Sequence, residues 1–154
     1  MNISLETVDT SCLFDYVLLE KSEGLAYWMS KTRPRTAGKK TASALFWKYI
    51  CLDNKRIGAI WIEKENTADS SASLGIFISH DENLGKGIGT AAIKAAVAQA
   101  QKEMLFAKVE LNVRSTNARA IACYEKCGFK ETGRFMKNYL DEEVEVIIME
   151  RLAH

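Results

Sequence analysis

Hydrophobic and polar positions in the first half of the chain follow helical spacing first and strand-like spacing afterwards. Between Ser11 and Met29, apolar residues recur at helical spacing that is broken at Gly24, which predicts two short helices. The positions that carry this spacing are Leu13, Val17, Leu18 and Leu25. The runs ALFWKYICLD and IGAIWIEKE, separated by the polar NKR, predict a β-hairpin, and SLGIFIS at residues 73–79 predicts the next strand.

The second half alternates helices and strands before it closes in a hairpin. The glycine-rich run LGKGIGTAA opens a helix that we predict to reach about Glu103. AKVELNV predicts a strand ending at Val113, and NARAIACYEKCG predicts a helix with Asn117 as its N-cap and Gly128 just past its end. FKETGRFMKNYL and EVEVIIME predict two final strands joined by an acidic turn at residues 141–143. This order predicts an α+β fold with a mixed sheet and helices on both faces.

Length and charge limit the classes of protein to which the chain can belong. Its 154 residues are 47% hydrophobic and 27% charged, which is typical of a globular protein and predicts one domain over residues 1–154. Twenty-one basic and twenty acidic residues leave a net charge of +1, so we expect neither nucleic acid nor a membrane surface as a partner. The polar start MNISLETVDT lacks a signal-peptide pattern, and no apolar run reaches about 18 residues. We therefore expect a soluble, cytoplasmic protein.

The cysteines and histidines do not follow a metal-binding spacing. They are scattered along the chain at Cys12, Cys51, Cys123, Cys127, His80 and His154. Neither a zinc pattern nor a disulfide framework emerges from these spacings. We therefore expect reduced, packed thiols and no metal.

The glycine-rich turn has the arrangement of a phosphate site. A strand followed by glycines and a helix start leaves backbone N–H groups and the helix dipole free to bind a phosphate. The GxxxxGK[ST] motif of nucleoside triphosphatases is absent from the sequence. A simpler interpretation is that the glycines only permit a tight turn and close helix packing.

A dinucleotide-binding motif is another alternative for this turn. Gly87, Gly89 and Ala92 fit G-x-G-x-x-A, and Glu110 lies about 20 residues further on, where an acid that binds ribose would be expected. However, residues 79–84 separate the preceding strand from the first glycine, and the preceding half of the chain predicts a hairpin instead of a βαβ unit. The motif is therefore weak evidence for a dinucleotide.

Two motifs taken together resemble a known family. LGKGIGTAAI and the later VELNVRSTNARAIACYEKCGF resemble the acyl-CoA-binding core of the GCN5-related N-acetyltransferase (GNAT) superfamily. That core combines a Q/R-x-x-G-x-G/A turn with an N-x-x-A-x-x-x-Y-x-x-x-G-F helix. The helix pattern falls on Asn117, Ala120, Tyr124, Gly128 and Phe129.

The resemblance covers residues 73–135 and is closest to the branch that acetylates ribosomal-protein N-termini or polyamines. Leu84 departs from the family, whose pattern has Gln or Arg at that position. The resemblance implies a single GNAT domain with a mostly antiparallel sheet, acetyl-CoA as co-substrate and no metal. Backbone N–H groups of residues 84–90 would hold the pyrophosphate, residues 77–79 would pair with the pantetheine amides, and Asn117 would lie near the cysteamine end. The implied cofactor contacts are Phe77, Ile78, Ser79, Leu84, Gly85, Lys86, Gly87, Ile88, Gly89, Thr90, Asn117 and Tyr124.

The resemblance also implies how the chemistry is catalysed. Tyr124 takes the family's position for a hydroxyl that donates a proton to the departing CoA thiolate, although the same position fits packing on Phe129 at a helix end. Some relatives carry a glutamate base at the position of Asn112, and an amide cannot accept that proton. Glu110 and Glu63 are the remaining candidate bases. Alternatively, both carboxylates are solvated or ion-paired, and water relays the proton.

The predicted function is transfer of an acetyl group from acetyl-CoA to a primary amine by direct attack on the thioester. The acceptor would be a small molecule, a polyamine or a protein N-terminus, and exposed sheet edges make a homodimer possible. The alternative is a non-catalytic acyl-CoA-binding or regulatory module on the same fold.

Acceptor recognition is expected from the N-terminal helices and the closing hairpin. The candidate residues, which also fit core or interface packing, are Tyr27, Trp28, Arg33, Arg35 and Tyr139. Residues 31–40, KTRPRTAGKK, predict a polar, mobile surface loop. This basic loop would guide an acidic substrate, contact the CoA phosphates or simply be solvated.

Overall fold

A mixed sheet with helices on both faces is the framework of the chain. The computed structural model describes residues 2–38, 44–79 and 81–153, without the side chain of Asp81. The strands are β1 (Ile3–Thr7), β2 (Ala44–Leu52), β3 (Lys55–Lys64), β4 (Ser71–Ile78), β5 (Lys108–Arg114), β6 (Lys130–Tyr139) and β7 (Glu142–Leu152). The helices are α1 (Phe14–Glu20), α2 (Leu25–Trp28), α3 (Ile88–Glu103) and α4 (Ala118–Lys126). In this described part, no helix is both long and apolar enough to cross a bilayer.

The sheet order is β1-β2-β3-β4-β5-β7-β6, with β4 and β5 parallel and the other neighbours antiparallel. Among the described residues, β4 and β5 are paired only at residues 71–73 and 108–110. Each strand continues on its other side, where β4 pairs with β3 as far as Ile78 and β5 pairs with β7 as far as Arg114. The facing edges of β4 and β5 therefore separate beyond three residue pairs. The mostly antiparallel α+β fold is confirmed.

The main core lies between the sheet and the helices α3 and α4. Alternate residues of the central strands point to this face, because successive strand side chains alternate between the two faces. Small residues on α3 let the helix backbone lie close to the strands. Fully buried members of this core include Ile60, Ile62, Val109, Ile93 and Ala96.

The second core lies on the opposite face, under α1 and α2. Tyr16 is fully buried there, with its ring 5.1 Å from that of Trp47 and 5.7 Å from that of Phe77. The Tyr16 hydroxyl donates to the carbonyl of Thr32 at 2.6 Å and accepts from the indole N–H of Trp47 at 3.1 Å. The ring contacts and the two hydrogen bonds of the hydroxyl together join α1 to the sheet and to the segment after α2.

Two short helices separated at Gly24 are confirmed, but the apolar positions that predicted them are not the buried face of α1. Val17 and Leu18 are 37% and 54% exposed, whereas Tyr16 and Leu19 are buried. Tyr16 and Leu19 are three residues apart and share one helix face. A large ring with a satisfied hydroxyl buries more surface than the aliphatic positions would.

Both predicted hairpins are present, but each turn begins one residue earlier than predicted. The first was predicted at NKR, residues 54–56, whereas Lys55 and Arg56 already belong to β3. Asp53 and Asn54 join β2 to β3 with φ values of 49° and 69°, which suit a two-residue turn between twisted strands. The closing turn is formed by Leu140 and Asp141, with φ values of 51° and 63°. The residues at 142–143 therefore begin β7, and the predicted acidic turn lies one residue too late along the chain.

Residues 31–38 are not the purely polar surface loop that the sequence predicts. Pro34 is buried, and Thr36 is 2% exposed. The backbone N–H of Thr36 donates to the carboxylate of Glu63 at 2.8 Å, and that of Arg35 donates to the same carboxylate at 3.2 Å. A charged acceptor on β3 therefore draws this segment onto the sheet. The remainder of the predicted loop, Lys39 and Lys40, lies outside the described residues.

Candidate active site

A cleft of about 1060 Å³ opens where β4 and β5 separate. Residues 73–78 and 110–114 form two of its walls, and the start of α3 and one side of α4 form a third. Within the described chain, the edge of β4 that faces β5 has no strand partner here. An unpaired strand edge presents N–H and C=O groups to any extended ligand that lies alongside it.

The glycine-rich turn borders the cleft with exposed backbone. Gly85 and Gly87 have φ values of +75° and +79°, and a Cβ built at either position has open space around it. At the start of α3, the N–H groups of Ile88, Gly89 and Thr90 have no hydrogen-bond partner among the described residues. Free N–H groups and the positive end of a 16-residue helix favour a bound anion.

Gly89 has a different role from the glycines before it. A Cβ built at this position lies 3.2 Å from the Sγ atom of Cys123 on α4. The Thr90 hydroxyl lies 3.4 Å from the same sulfur atom. The third glycine therefore allows α3 and α4 to approach closely, so that the turn serves packing as well as a ligand surface.

Tyr124 combines a packed ring with a hydroxyl at the cleft. The N–H of Phe129 donates to the carbonyl of Tyr124 and that of Gly128 to the carbonyl of Glu125, each at 3.0 Å, which is the Schellman pattern at a helix end. The rings of Tyr124 and Phe129 meet edge to face, 6.1 Å apart, so the predicted packing is confirmed. Tyr124 also lines the cleft, and its hydroxyl has no hydrogen-bond partner in the described part of the chain.

Burial raises the pKa of Tyr124 above its usual range, and the neighbouring thiols Cys123 and Cys127 raise it further. The hydroxyl is therefore protonated at neutral pH. A half-buried, protonated hydroxyl without a partner is a proton donor that a ligand in the cleft can use.

Cys123 is a cleft residue that the sequence predicts only as a packed thiol. It lines the cleft one helical turn before Cys127. A hydrogen bond from Cys127 lowers the pKa of Cys123, the hydroxyl of Thr90 and the charge of Lys126 act in the same direction, and burial opposes them. The same hydrogen bond, together with burial, raises the pKa of Cys127.

The two carboxylates predicted as candidate bases have different surroundings. Glu63 is 4% exposed and accepts the two N–H groups of residues 35–36, so its carboxylate holds the segment in place. Glu110 is half-buried in the cleft wall, and its carboxylate has no hydrogen bond or ion pair to any described residue. Asn112 also lines the cleft and is exposed.

All five residues predicted to recognise an acceptor line the cleft, and Arg114 joins them. The Arg114 guanidinium lies 4.7 Å from the ring centre of Tyr27 and 5.7 Å from that of Trp28, and it donates to the Tyr27 carbonyl at 2.6 Å. The hydroxyl of Tyr139 donates to the carbonyl of Met29 at 2.8 Å. The period-two spacing of Glu110, Asn112 and Arg114 would have predicted that these three share a face of β5.

Comparison with known proteins gives the family. Residues 13–129 match the model of the acetyltransferase (GNAT) family, which is more than half of the chain. The chain belongs to the GNAT family. It is similar to aminoglycoside N(6')-acetyltransferase type 1 of Klebsiella pneumoniae, with 33% identity over 85 residues. That match covers 55% of this chain and 40% of that relative, so the chain spans less than half of that relative's length.

Solved GNAT structures share the fold over nearly the whole chain. Aminoglycoside acetyltransferase AAC(6')-Ib in complex with coenzyme A has a TM-score of 0.74 and 20% identity, covering 98% of this chain and 95% of that one. Spermidine N-acetyltransferase from Vibrio cholerae in complex with CoA and spermine has a TM-score of 0.75 and 22% identity, again covering 98% and 95%. The GNAT family predicted from the two motifs is confirmed.

Most of the residues that the GNAT resemblance implies as cofactor contacts line the cleft. These are Phe77, Ile78, Leu84, Gly85, Gly87, Ile88, Gly89, Thr90, Asn117 and Tyr124. The side chain of Phe77 packs into the second core, and the side-chain oxygen of Asn117 caps α4 by accepting from the N–H of Ala120 at 3.3 Å. The predicted N-cap is confirmed.

Ser79 and Lys86 are the implied contacts that do not line the cleft. Ser79 is fully buried, and its N–H and its hydroxyl both donate to the carbonyl of Ile57 at 2.7 Å. Lys86 is exposed at the tip of the turn. Arg119 and Lys126 of α4 line the cleft instead, and their spacing of seven residues places both on one helix face. Among the described residues, no group of three or more His, Cys, Asp or Glu side chains is arranged to bind a metal ion.

Proposed function

We propose that this chain is an acetyl-CoA-dependent N-acetyltransferase acting on a primary amine. One observation supports it most strongly: a single cleft holds an unpaired strand edge, an anion-binding backbone turn and the free hydroxyl of Tyr124. These three features suit an extended thioester ligand with a phosphate at one end and a sulfur atom that needs a proton donor. The names of the GNAT relatives, which are N-acetyltransferases, support the same function.

The cofactor would run from the glycine-rich turn into the separation between β4 and β5. The pyrophosphate would contact the backbone N–H groups of residues 84–90, with Arg119 and Lys126 nearby on α4. The pantetheine amides would pair with the open edge of β4 around Ile76 and Ile78. Leu84 contributes its backbone alone, because it lacks the side-chain hydrogen-bond donors of the Gln or Arg in the family pattern.

The proposed reaction is a single displacement at the thioester. The amine nitrogen attacks the carbonyl carbon, a C–N bond forms, the C–S bond breaks, and the sulfur leaves with the bonding electron pair. Tyr124 donates its proton to the departing thiolate. The proton lost by the amine passes to Glu110 or to water, and solvent restores the proton of Tyr124.

The finer predictions of the sequence remain part of the proposal. They are a single domain over residues 1–154, a cytoplasmic location, a possible homodimer, and an acceptor that is a small molecule, a polyamine or a protein N-terminus. Aminoglycoside and spermidine acetyltransferases among the similar proteins support an amine acceptor. The four cysteines are free, which suits a reducing compartment.

Thiol release from acetyl-CoA over a panel of primary amines tests this function. We expect amine-dependent release of CoA by the wild-type chain, and the acetylated amine as the second product. Binding of acetyl-CoA without release over the whole panel would contradict the proposal and favour the non-catalytic acyl-CoA-binding module.

A further inference from the structure

The charges around the cleft are unevenly distributed. In the described chain, seven basic and three acidic side chains line it. The basic residues are Lys31, Arg33, Arg35, Arg114, Arg119, Lys126 and Lys137, and the acidic residues are Glu23, Glu63 and Glu110. The cleft is thus far more basic than the chain as a whole, whose net charge is +1.

Four of the seven basic side chains either pair with a carboxylate or lie beside the proposed phosphate site. Arg33 is paired with Glu20 at 2.7 Å, and Arg35 lies 3.6 Å from Glu65. Arg119 and Lys126 belong to α4, which packs on the main-core face beside the proposed phosphate site. Lys31, Arg114 and Lys137 have no carboxylate within ion-pair distance among the described residues.

Arg114 and Lys137 lie together on the other face of the sheet, away from α3 and α4. Arg114 is opposite Val146 on β7, which is in turn opposite Phe135 on β6. Lys137 is two residues beyond Phe135 and therefore points to the same face. The aromatic rings of α2, which packs on this face, contact Arg114. Arg114 and Lys137 therefore line the acceptor side of the cleft, on the face opposite α3, α4 and the proposed phosphate site.

The opposite end of the same wall is acidic. Glu110 lies at the point where β4 and β5 separate, four residues before Arg114 on β5. Four residues of extended strand span roughly 13 Å. The acceptor side of the described chain thus presents an unpaired carboxylate where β4 and β5 separate. About four residues further along the sheet it presents two cations that hydrogen-bond to residues 27–30 but have no carboxylate partner among the described residues.

We infer that the acceptor is a primary amine that carries a carboxylate, with the amine beside Glu110 and the carboxylate beside Arg114 and Lys137. This inference rests on the proposed acetyltransferase function and narrows its substrate class. A guanidinium and an ammonium bind a carboxylate through charge-assisted hydrogen bonds, whereas a polyamine would place positive charge against both. The polycationic substrates named for the similar proteins do not suit this surface.

Matched acceptors test the inference with acetyl-CoA and the full chain. The first pair is 6-aminohexanoate and its carboxamide, and the second is Ala-Ala-Asp-amide and Ala-Ala-Asn-amide, with spermidine as the polycation. We expect kcat/KM to be at least about tenfold higher for the carboxylate member of a pair at low salt, a difference that falls as salt is added.

The variant Lys137→Glu tests whether Lys137 binds the carboxylate of the acceptor. Its side chain makes one exposed hydrogen bond, to the hydroxyl of Ser30 at 2.9 Å, so the fold should tolerate the change. We expect the preference for the carboxylate acceptor to be lost and acetyl-CoA affinity to be unchanged. Lys55→Glu makes the same change of charge at an exposed position outside the cleft, and it should keep the preference.

Three results would overturn the inference while leaving the proposed function intact. They are equal kcat/KM for both members of each pair, a preference for spermidine, and no turnover of either carboxylate acceptor by a chain that binds acetyl-CoA. Failure to bind acetyl-CoA would instead contradict the proposed function itself.

Discussion

At the scale of single residues, Tyr124 carries the most specific chemical role. Its ring packs on Phe129 while its hydroxyl remains unpaired and protonated in the cleft. Tyr124→Phe removes the proton donor and keeps the ring. We expect kcat for amine acetylation to fall about 10²-fold or more, because general acid catalysis contributes at least that factor.

Thiol release at saturating acetyl-CoA measures this effect, and thermal unfolding checks that the variant is folded. The affinity for acetyl-CoA should not change. A folded Tyr124→Phe chain with wild-type kcat would remove this residue from the mechanism.

Gly87 offers a residue-scale test with a matched control. Gly87 and Gly38 have φ values of +79° and +81°, and both have open space where a Cβ would lie, but only Gly87 lines the cleft. Leucine at either position should destabilise the fold by roughly 1–2 kcal/mol, because the left-handed conformation is strained for L-residues. Only Gly87→Leu should also weaken acetyl-CoA binding, by about tenfold or more.

Isothermal titration with acetyl-CoA separates the two effects of these glycine substitutions. Equal acetyl-CoA affinities in Gly87→Leu and Gly38→Leu would contradict a phosphate-binding role for the turn.

Cys123 should report directly on occupation of the cleft. The contacts of its thiol lower its pKa, which raises the thiolate fraction at neutral pH and speeds alkylation. Acetyl-CoA should protect Cys123 from iodoacetamide, whereas Cys12 is exposed outside the cleft and should react equally with and without the ligand. Mass spectrometry of alkylated peptides measures both sites in one sample. Equal alkylation of Cys123 in both conditions would show that the ligand does not occupy this cleft.

At the scale of elements, the sequence predicts the strands and helices but not where two strands separate. The apolar runs that form β4 and β5 indicate strands, and they carry no signal for which edge stays unpaired. The separation depends on the partners β3 and β7, which continue the pairing on the outer sides. The cleft is therefore a property of the assembled sheet, whereas the glycine-rich turn and the Tyr124 helix are local patterns that sequence analysis identifies.

The contrast between Glu63 and Glu110 also belongs to this scale, because hydrogen bonds between elements distinguish them. Glu63→Gln should lower the free energy of unfolding by about 1–3 kcal/mol, since a buried amide cannot accept both N–H groups of residues 35–36. Glu110→Gln should leave stability unchanged and lower kcat by about 10²-fold if its carboxylate accepts the amine proton. Denaturant unfolding and thiol release measure the two quantities.

A stable but inactive Glu63→Gln chain together with a fully active Glu110→Gln chain would contradict both roles. Glu63 would then be the base, and Glu110 would not. If Glu110→Gln is stable and fully active while Glu63→Gln behaves as expected, water accepts the amine proton.

At the scale of the whole molecule, the net charge of +1 does not reveal how charged side chains are distributed around the cleft. Nearly equal numbers of acidic and basic residues, 20 and 21, would suggest an evenly charged surface. Seven basic but only three acidic side chains line the cleft, among the described residues. Acidic residues outside the cleft are paired as well: Glu6 and Asp15 bind Arg56 at 2.7 Å and 2.9 Å, and none of the three lines the cleft. Composition predicts no nucleic-acid partner, but it cannot predict a local preference for an acceptor.

Thermal unfolding with acetyl-CoA, and separately with NADH, tests most directly whether the cleft is an acetyl-CoA site. A ligand at about 100 times its Kd adds roughly 2.7 kcal/mol to the free energy of unfolding. In a chain of this length, that should raise Tm by roughly 5–10 °C. We predict this shift with acetyl-CoA and none with NADH. A shift with NADH and none with acetyl-CoA would mean that the glycine-rich turn binds a dinucleotide, and the role assigned to Tyr124 would be wrong as well.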